Sequence, residues 1–141
     1  MSLTDYSDLE NEIADAPEPK NLNAGEEVQG RIITVRTGIS ESEKYPGCRW
    51  YSVVFDIPDD PMVMEFNDFF WELNKEKLDA KTFSRELYKF QQFAKAFDID
   101  FSRPFSWEDE LPGKTGWLIT GVKKTDEYGT QNTVKKYVAP R

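Results

Sequence analysis

Residues 111–141 read LPGKTGWLITGVKKTDEYGTQNTVKKYVAPR, and the reading of this stretch decides the fold. Residues 116–124 place Trp117 and Ile119 on one parity and Leu118, Thr120 and Val122 on the other, a strand apolar on both faces at its start and wet at its end. TDEYGTQ follows, with Asp and Gly where the backbone must turn, and residues 133–138 resume a strand, so the spacing predicts a hairpin with a longer loop. From residue 113 onward six bases (Lys114, Lys123, Lys124, Lys135, Lys136, Arg141) face two acids (Asp126, Glu127), in a chain of net charge −8. A basic hairpin on an acidic protein points to a local binding surface, or to lysines that guard an exposed edge while the tyrosines pack on their neighbours.

Working back toward the N-terminus, residues 79–97 carry the one helical period. Phe83, Leu87, Phe90, Ala94 and Phe97 form a seam expected to pack on a sheet, with Asp79 as the N-cap. Three strands are expected before it: residues 28–36 (VQGRIITVR), with Gly30 marking a bulge or bend; residues 48–57 (CRWYSVVFDI); and residues 62–71 (MVMEFNDFFW). In the last, Met62, Met64, Phe66 and Phe70 share the core parity, while Phe69 and Trp71 end the other face as a stacking platform or a rim contact. Trp117, Phe55 and Phe66 are assigned to the interior. Trp50 and Tyr51 have opposite parity, so at most one of them faces a groove.

Residues 1–20 set Asp5, Asp8, Glu10, Glu12, Asp15 and Glu18 against Lys20 alone and end near Ala16-Pro17-Glu18-Pro19, the composition of an acidic flexible tail. The expected organisation is a tail over residues 1–22 and one folded domain over residues 23–141. Leu9 and Ile13, four apart, suit one side of a short helix, so the tail reads as a disordered leader, as a partner-binding segment, or as a screen for the basic surface.

Composition narrows the chemistry. The chain of 141 residues has 14% aromatic residues, ten of them Phe, enough for a packed interior. It has no histidine, which removes Ser-His-Asp and Cys-His nucleophile systems, HExxH sites and the usual zinc spacings. The single cysteine, Cys48, has no partner for a disulfide. No phosphate-binding glycine motif is present, and the carboxylates of DIPDDP and SWEDEL show no convergent arrangement. No catalytic residue, metal or cofactor is therefore expected. No apolar run approaches a membrane span and the N-terminus has neither a positive nor an apolar region, so no membrane partner and a cytoplasmic setting are expected.

Three strands, a helix and two strands is the element order of an OB-fold, so the fold class is mainly β: a five-stranded Greek-key barrel with one amphipathic helix between strands 3 and 4. An SH3-like barrel or a β-grasp arrangement can be drawn from similar elements.

Over residues 23–138 the chain resembles the small bacteriophage single-stranded DNA-binding proteins with an OB-fold. The resemblance rests on GEEVQGRI, G-x-R-W-Y-S-V-V-F, F-x-x-F-F-W, LYKFQQFAKAF and, most specifically, the closing hairpin with Leu111, Gly113, Lys114, Lys123, Lys124, Asp126, Glu127, Tyr128, Gly129, Gln131, Asn132, Lys135, Lys136 and Tyr137. It implies sequence-tolerant binding of single-stranded DNA in phage replication or recombination, in the host cytoplasm, with replication or recombination proteins as partners through the acidic tail. Many such binders carry their acidic tail at the C-terminus, whereas here the acidic segment comes first. Strand binding needs cations for phosphates and rings for bases. The candidate cations are Arg31, Arg36, Lys44, Arg49, Lys123, Lys124, Lys135 and Lys136; the candidate rings are Tyr45, Trp50, Tyr51, Trp71, Tyr128 and Tyr137. The alternative is an acidic adaptor of the replication or recombination machinery, or a DNA mimic, without DNA affinity of its own.

Overall fold

The computed structural model describes residues 2–140. Five strands, β1 (Glu27–Ile39), β2 (Arg49–Asp56), β3 (Phe66–Trp71), β4 (Thr115–Thr125) and β5 (Gly129–Val138), form one antiparallel sheet in the order β3-β2-β1-β4-β5. Helices α2 (Ala80–Phe97) and α3 (Trp107–Glu110) lie between β3 and β4 in the chain, and a short helix α1 (Glu10–Ala14) precedes the sheet.

β1 organises the sheet because its thirteen residues serve two partners. Arg31 is the pivot, opposite Asp56 of β2 on one side and Thr115 of β4 on the other. A register shift between Ile32 and Thr34 bends the strand there, just beyond Gly30, where the bend was expected. The bend curls the sheet until β3 and β5 face each other without a ladder. That seam is closed by side chains: the buried Tyr137 hydroxyl of β5 donates to Asp68 Oδ2 of β3 at 2.5 Å, and Lys89 of α2 pairs with Asp68 Oδ1 at 3.0 Å. The sheet is barrel-like but not closed.

Alternation fills the interior. Ile32, Val53, Phe55, Phe66, Phe70 and Leu118 point inward and meet Phe93 and Phe97 of α2. Most of the expected seam packs, with Ala94 and Phe97 buried and Phe83 and Phe90 partly buried against the two apolar clusters, but its centre is shifted. Phe93 is fully buried at its centre, whereas Leu87 is half exposed. Asp79 is the N-cap, accepting from the Thr82 N–H at 2.8 Å. Gly116 permits the closest approach of helix and sheet, since a Cβ there would lie 2.5 Å from the Ala96 carbonyl oxygen. Two further expectations fail. Trp117 lies on the outer face of β4 and is 46% exposed, and β3 begins only at Phe66, so Met64 is exposed while Val63 is buried. The β4–β5 connection is also shorter than expected: Thr125 pairs with Gly129, leaving three residues, and Gly129 takes φ 68° to complete the turn.

Much of the closing hairpin serves this fold. Asn132, buried, accepts from the Leu22 N–H and donates to the Leu22 and Gly121 carbonyls; Thr120 donates to the Asn23 carbonyl and accepts from the Glu26 N–H. These bonds stitch residues 22–26 onto β4 and β5 and satisfy polar groups that burial would otherwise penalise. Lys114 Nζ donates to the carbonyl of Asp98, the left-handed C-cap of α2. The chain joins the body at Lys20, which exchanges backbone hydrogen bonds with Met62 and Met64 and pairs with Asp60 at 2.7 Å. Residues 2–20 are exposed, and Asn21 and Leu22 partly buried. No helix among the described residues is long and apolar enough to cross a membrane.

Candidate nucleic-acid interface

Pairing register decides which side chains share the outer face of β1, β2 and β3. Gly38, Trp50 and Trp71 form one row across the three strands; Arg36, Ser52 and Phe69 form the next; Thr34, Val54 and Asn67 the third. Trp50 lies against Gly38, where a Cβ would fall 2.6 Å from the indole ring, so only glycine lets the indole lie across the neighbouring strand. Trp50 stacks on Phe69 (centroids 5.9 Å, 25°), and Phe69 meets Trp71 edge-on (4.9 Å, 86°). Three adjacent rings are thereby fixed on a solvent-facing sheet surface, with Phe69 39% exposed. Ser52 accepts from Asn67 Nδ2 at 2.9 Å, and Arg36, exposed, makes no ion pair among the described residues. A cluster of rings with a free guanidinium beside it can stack bases and bind phosphate.

The structure redistributes the other expected site residues. Tyr45 is buried: its hydroxyl donates to Asp79 Oδ2 at 2.8 Å and its ring props the edge of Trp71 at 5.3 Å. Lys44 sits over that ring at 5.4 Å, at the end of the platform. Tyr137 is buried in the seam, where desolvation first, then the charge of Asp68, pushes its phenol well above the usual tyrosine value. Burial takes both tyrosines out of any stacking surface. Tyr51, of opposite parity to Trp50, stacks face-to-face on Trp107 of α3 (4.2 Å, 4°) on the helix side of the sheet. Arg31 donates from Nε and Nη2 to the two carboxylate oxygens of Asp56, and Arg49 reaches Thr37 Oγ1 at 3.3 Å and Glu72 at 3.8 Å.

The hairpin lysines do not form one surface. Lys123 and Lys136 lie on the outer face of β4 and β5, opposite Gln131 and Ile119 respectively; Lys124 takes the other parity, opposite Thr130. Lys135 sits at the register shift and, with Lys136, Lys89, Tyr88 and Gln92, lines a cleft of about 390 Å³ beside the β3–β5 seam. Tyr128 stands exposed at the hairpin tip. Phe69 is the platform member absent from the expected site, although its parity with Trp71 marked it as one end of a stacking face. The buried thiol of Cys48 packs with Tyr45 and Leu78, and burial pushes it up. Among the described residues no three Cys, Asp or Glu side chains gather as a metal-binding group.

No protein-family model matches this chain, and no curated protein matches it.

Proposed function

We propose that this chain is a sequence-tolerant single-stranded DNA-binding protein with an OB-fold, serving phage DNA replication or recombination in the host cytoplasm. The observation that carries the proposal is the row of Trp50, Phe69 and Trp71 beside the unpaired Arg36 on the outer face of β1, β2 and β3. Support for the OB assignment comes from strand adjacency. The order β3-β2-β1-β4-β5, with β3 brought back beside β5 by Tyr137 and Asp68, follows the cyclic order of a five-stranded Greek-key barrel, and α2 occupies the connection between strands 3 and 4.

Bases stack on the rings, each contributing about 1–3 kcal/mol. Arg36 and Lys44 contact the phosphates, and Lys123 and Lys136 extend the cationic track along β4 and β5. The net charge of −8 disfavours nonspecific association with duplex, and strand affinity falls as salt rises. Titration with oligo(dT) tests the reading: tryptophan fluorescence is quenched at low salt and recovers on adding salt. The division of the hairpin lysines among separate faces favours a second reading, an adaptor without DNA affinity. A flat titration at low salt selects it.

A further inference from the structure

On the helix side of the sheet lies a groove of about 620 Å³ lined by Tyr51, Leu87, Tyr88, Phe90, Phe101 and Trp107. It is apolar yet open, with Leu87 about half exposed and Tyr88 and Phe101 more so. Monomeric domains rarely leave such a concave aromatic surface uncovered. The N-terminal segment leaves a matching surface uncovered. Leu3, Tyr6, Leu9 and Ile13 are all exposed and pack on nothing in the core. Residues 7–14 are helical, which puts Leu9 and Ile13 on one side and Asp8 and Glu12 on an adjacent side, a pattern that Asp5 and Asp15 continue.

The charges agree with the shapes. Along the exposed flank of α2 beside the groove run Lys81 and Arg85, neither in an ion pair among the described residues. The opposite wall, α3, is acidic, with Glu108 and Asp109 beside a Glu110 held by Arg103 at 2.9 Å. An acidic amphipathic helix therefore fits the groove in one orientation, with its carboxylates toward α2. Reach determines which copy supplies it. The chain is pinned at Lys20 beside Met62 and Met64, just ahead of β3, whereas the groove lies at the far end of β3, at Glu72, Leu73 and Tyr51 opposite Phe70. β3 alone spans about 20 Å, and the seven steps from Ile13 to Lys20 cover at most about 25 Å when fully stretched. Too little slack remains to round the sheet edge and seat Leu9 and Ile13 in the same molecule's groove.

We propose that the groove receives the N-terminal segment of a second copy of this chain, and that reciprocal exchange of the two segments closes a two-fold dimer. The groove and the platform lie on opposite sides of β2, as the opposite parity of Tyr51 and Trp50 requires, so the dimer forms without DNA.

Sedimentation equilibrium of the full chain in the absence of DNA tests this. The wild type is expected to approach twice the monomer mass with rising concentration. The tail variant Leu9→Glu/Ile13→Glu and the groove variant Leu87→Glu/Phe101→Glu, both altered at exposed positions, are each expected to remain monomeric. Lys81→Glu/Arg85→Glu is expected to weaken association by about tenfold, the effect of roughly 1.4 kcal/mol. An equimolar mixture of tail and groove variants retains one intact contact and is expected to form a heterodimer. A wild type that stays monomeric at every concentration overturns the proposal, and so does a dimer that persists in either double variant. Circular dichroism of each variant confirms that lost association is not lost folding.

Discussion

The Tyr137 hydroxyl donates to the Asp68 carboxylate across the one junction of the curled sheet where no ladder forms. A neutral donor on a charged acceptor, with Lys89 on the second oxygen, takes the place of strand pairing between β3 and β5. Tyr137→Phe is expected to lower stability by about 1–3 kcal/mol in urea denaturation. It also alters the alkaline limb. The phenol of the unfolded chain titrates near 10, whereas in the fold burial and Asp68 hold the proton to higher pH. Above about pH 10 the unfolded chain therefore binds fewer protons than the fold, and stability declines as pH climbs. Tyr137→Phe removes this share of the decline.

Gly38 is expected to control the platform. In Gly38→Ala the new Cβ meets the Trp50 ring at 2.6 Å, and the indole, free on its outer side, swings away from Phe69. Oligo(dT) affinity is predicted to drop by about the worth of one stacked base, 1–3 kcal/mol, with a much smaller change in the melting midpoint.

Gly116→Ala is expected to do the reverse. Its Cβ meets backbone, the Ala96 carbonyl at the end of α2, which cannot yield as a side chain does. Overpacking of this kind costs about 1–3 kcal/mol. Thermal unfolding reads the loss, while the folded fraction keeps its strand affinity.

Asp79 ties the helix start to the β1–β2 loop through Thr82 and Tyr45. The Thr82 N–H first, then the Tyr45 hydroxyl, holds its carboxyl at about 2, below the ordinary 3.8. The stability it contributes is present above that ordinary value and is lost as pH falls through about 2. Asp79→Asn keeps a capping oxygen, so the variant is expected to fold but to show a flatter acid limb in denaturation measured between pH 4 and pH 2.

β2 was legible because it is rich in aromatic and β-branched residues, the closing hairpin because turn residues separate two apolar runs, and Asp79 because a capping acid precedes a helical period. The helix face was legible only in part, because Phe93 was missed and Leu87 is exposed. α2 carries two aromatic stripes, and the one through Phe93 also contains Glu86 and Lys89, charges that argue for solvent until Asp68 and the seam give Lys89 a partner. Tyr137 read as a surface ring because it follows two lysines, but the register shift at Lys135 turns it inward. Trp117 sits in a strand apolar on both parities, so periodicity could not assign its face. The site was legible in part for the same reason. Parity separated Trp50 from Tyr51 and grouped Phe69 with Trp71, whereas joining these rows across β1 and β2 needs a pairing register that no single segment encodes.

The four indole N–H signals in a nitrogen-15 spectrum test the central claim most directly, because the tryptophans occupy separate surfaces: Trp50 and Trp71 on the platform, Trp107 in the groove and Trp117 on the outer face of β4. On addition of oligo(dT) at low salt, Trp50 and Trp71 are predicted to shift and to return on adding salt, while Trp107 stays in place. Shifts confined to Trp107 or Trp117, or no shift at all, would contradict strand binding on the β1–β2–β3 face.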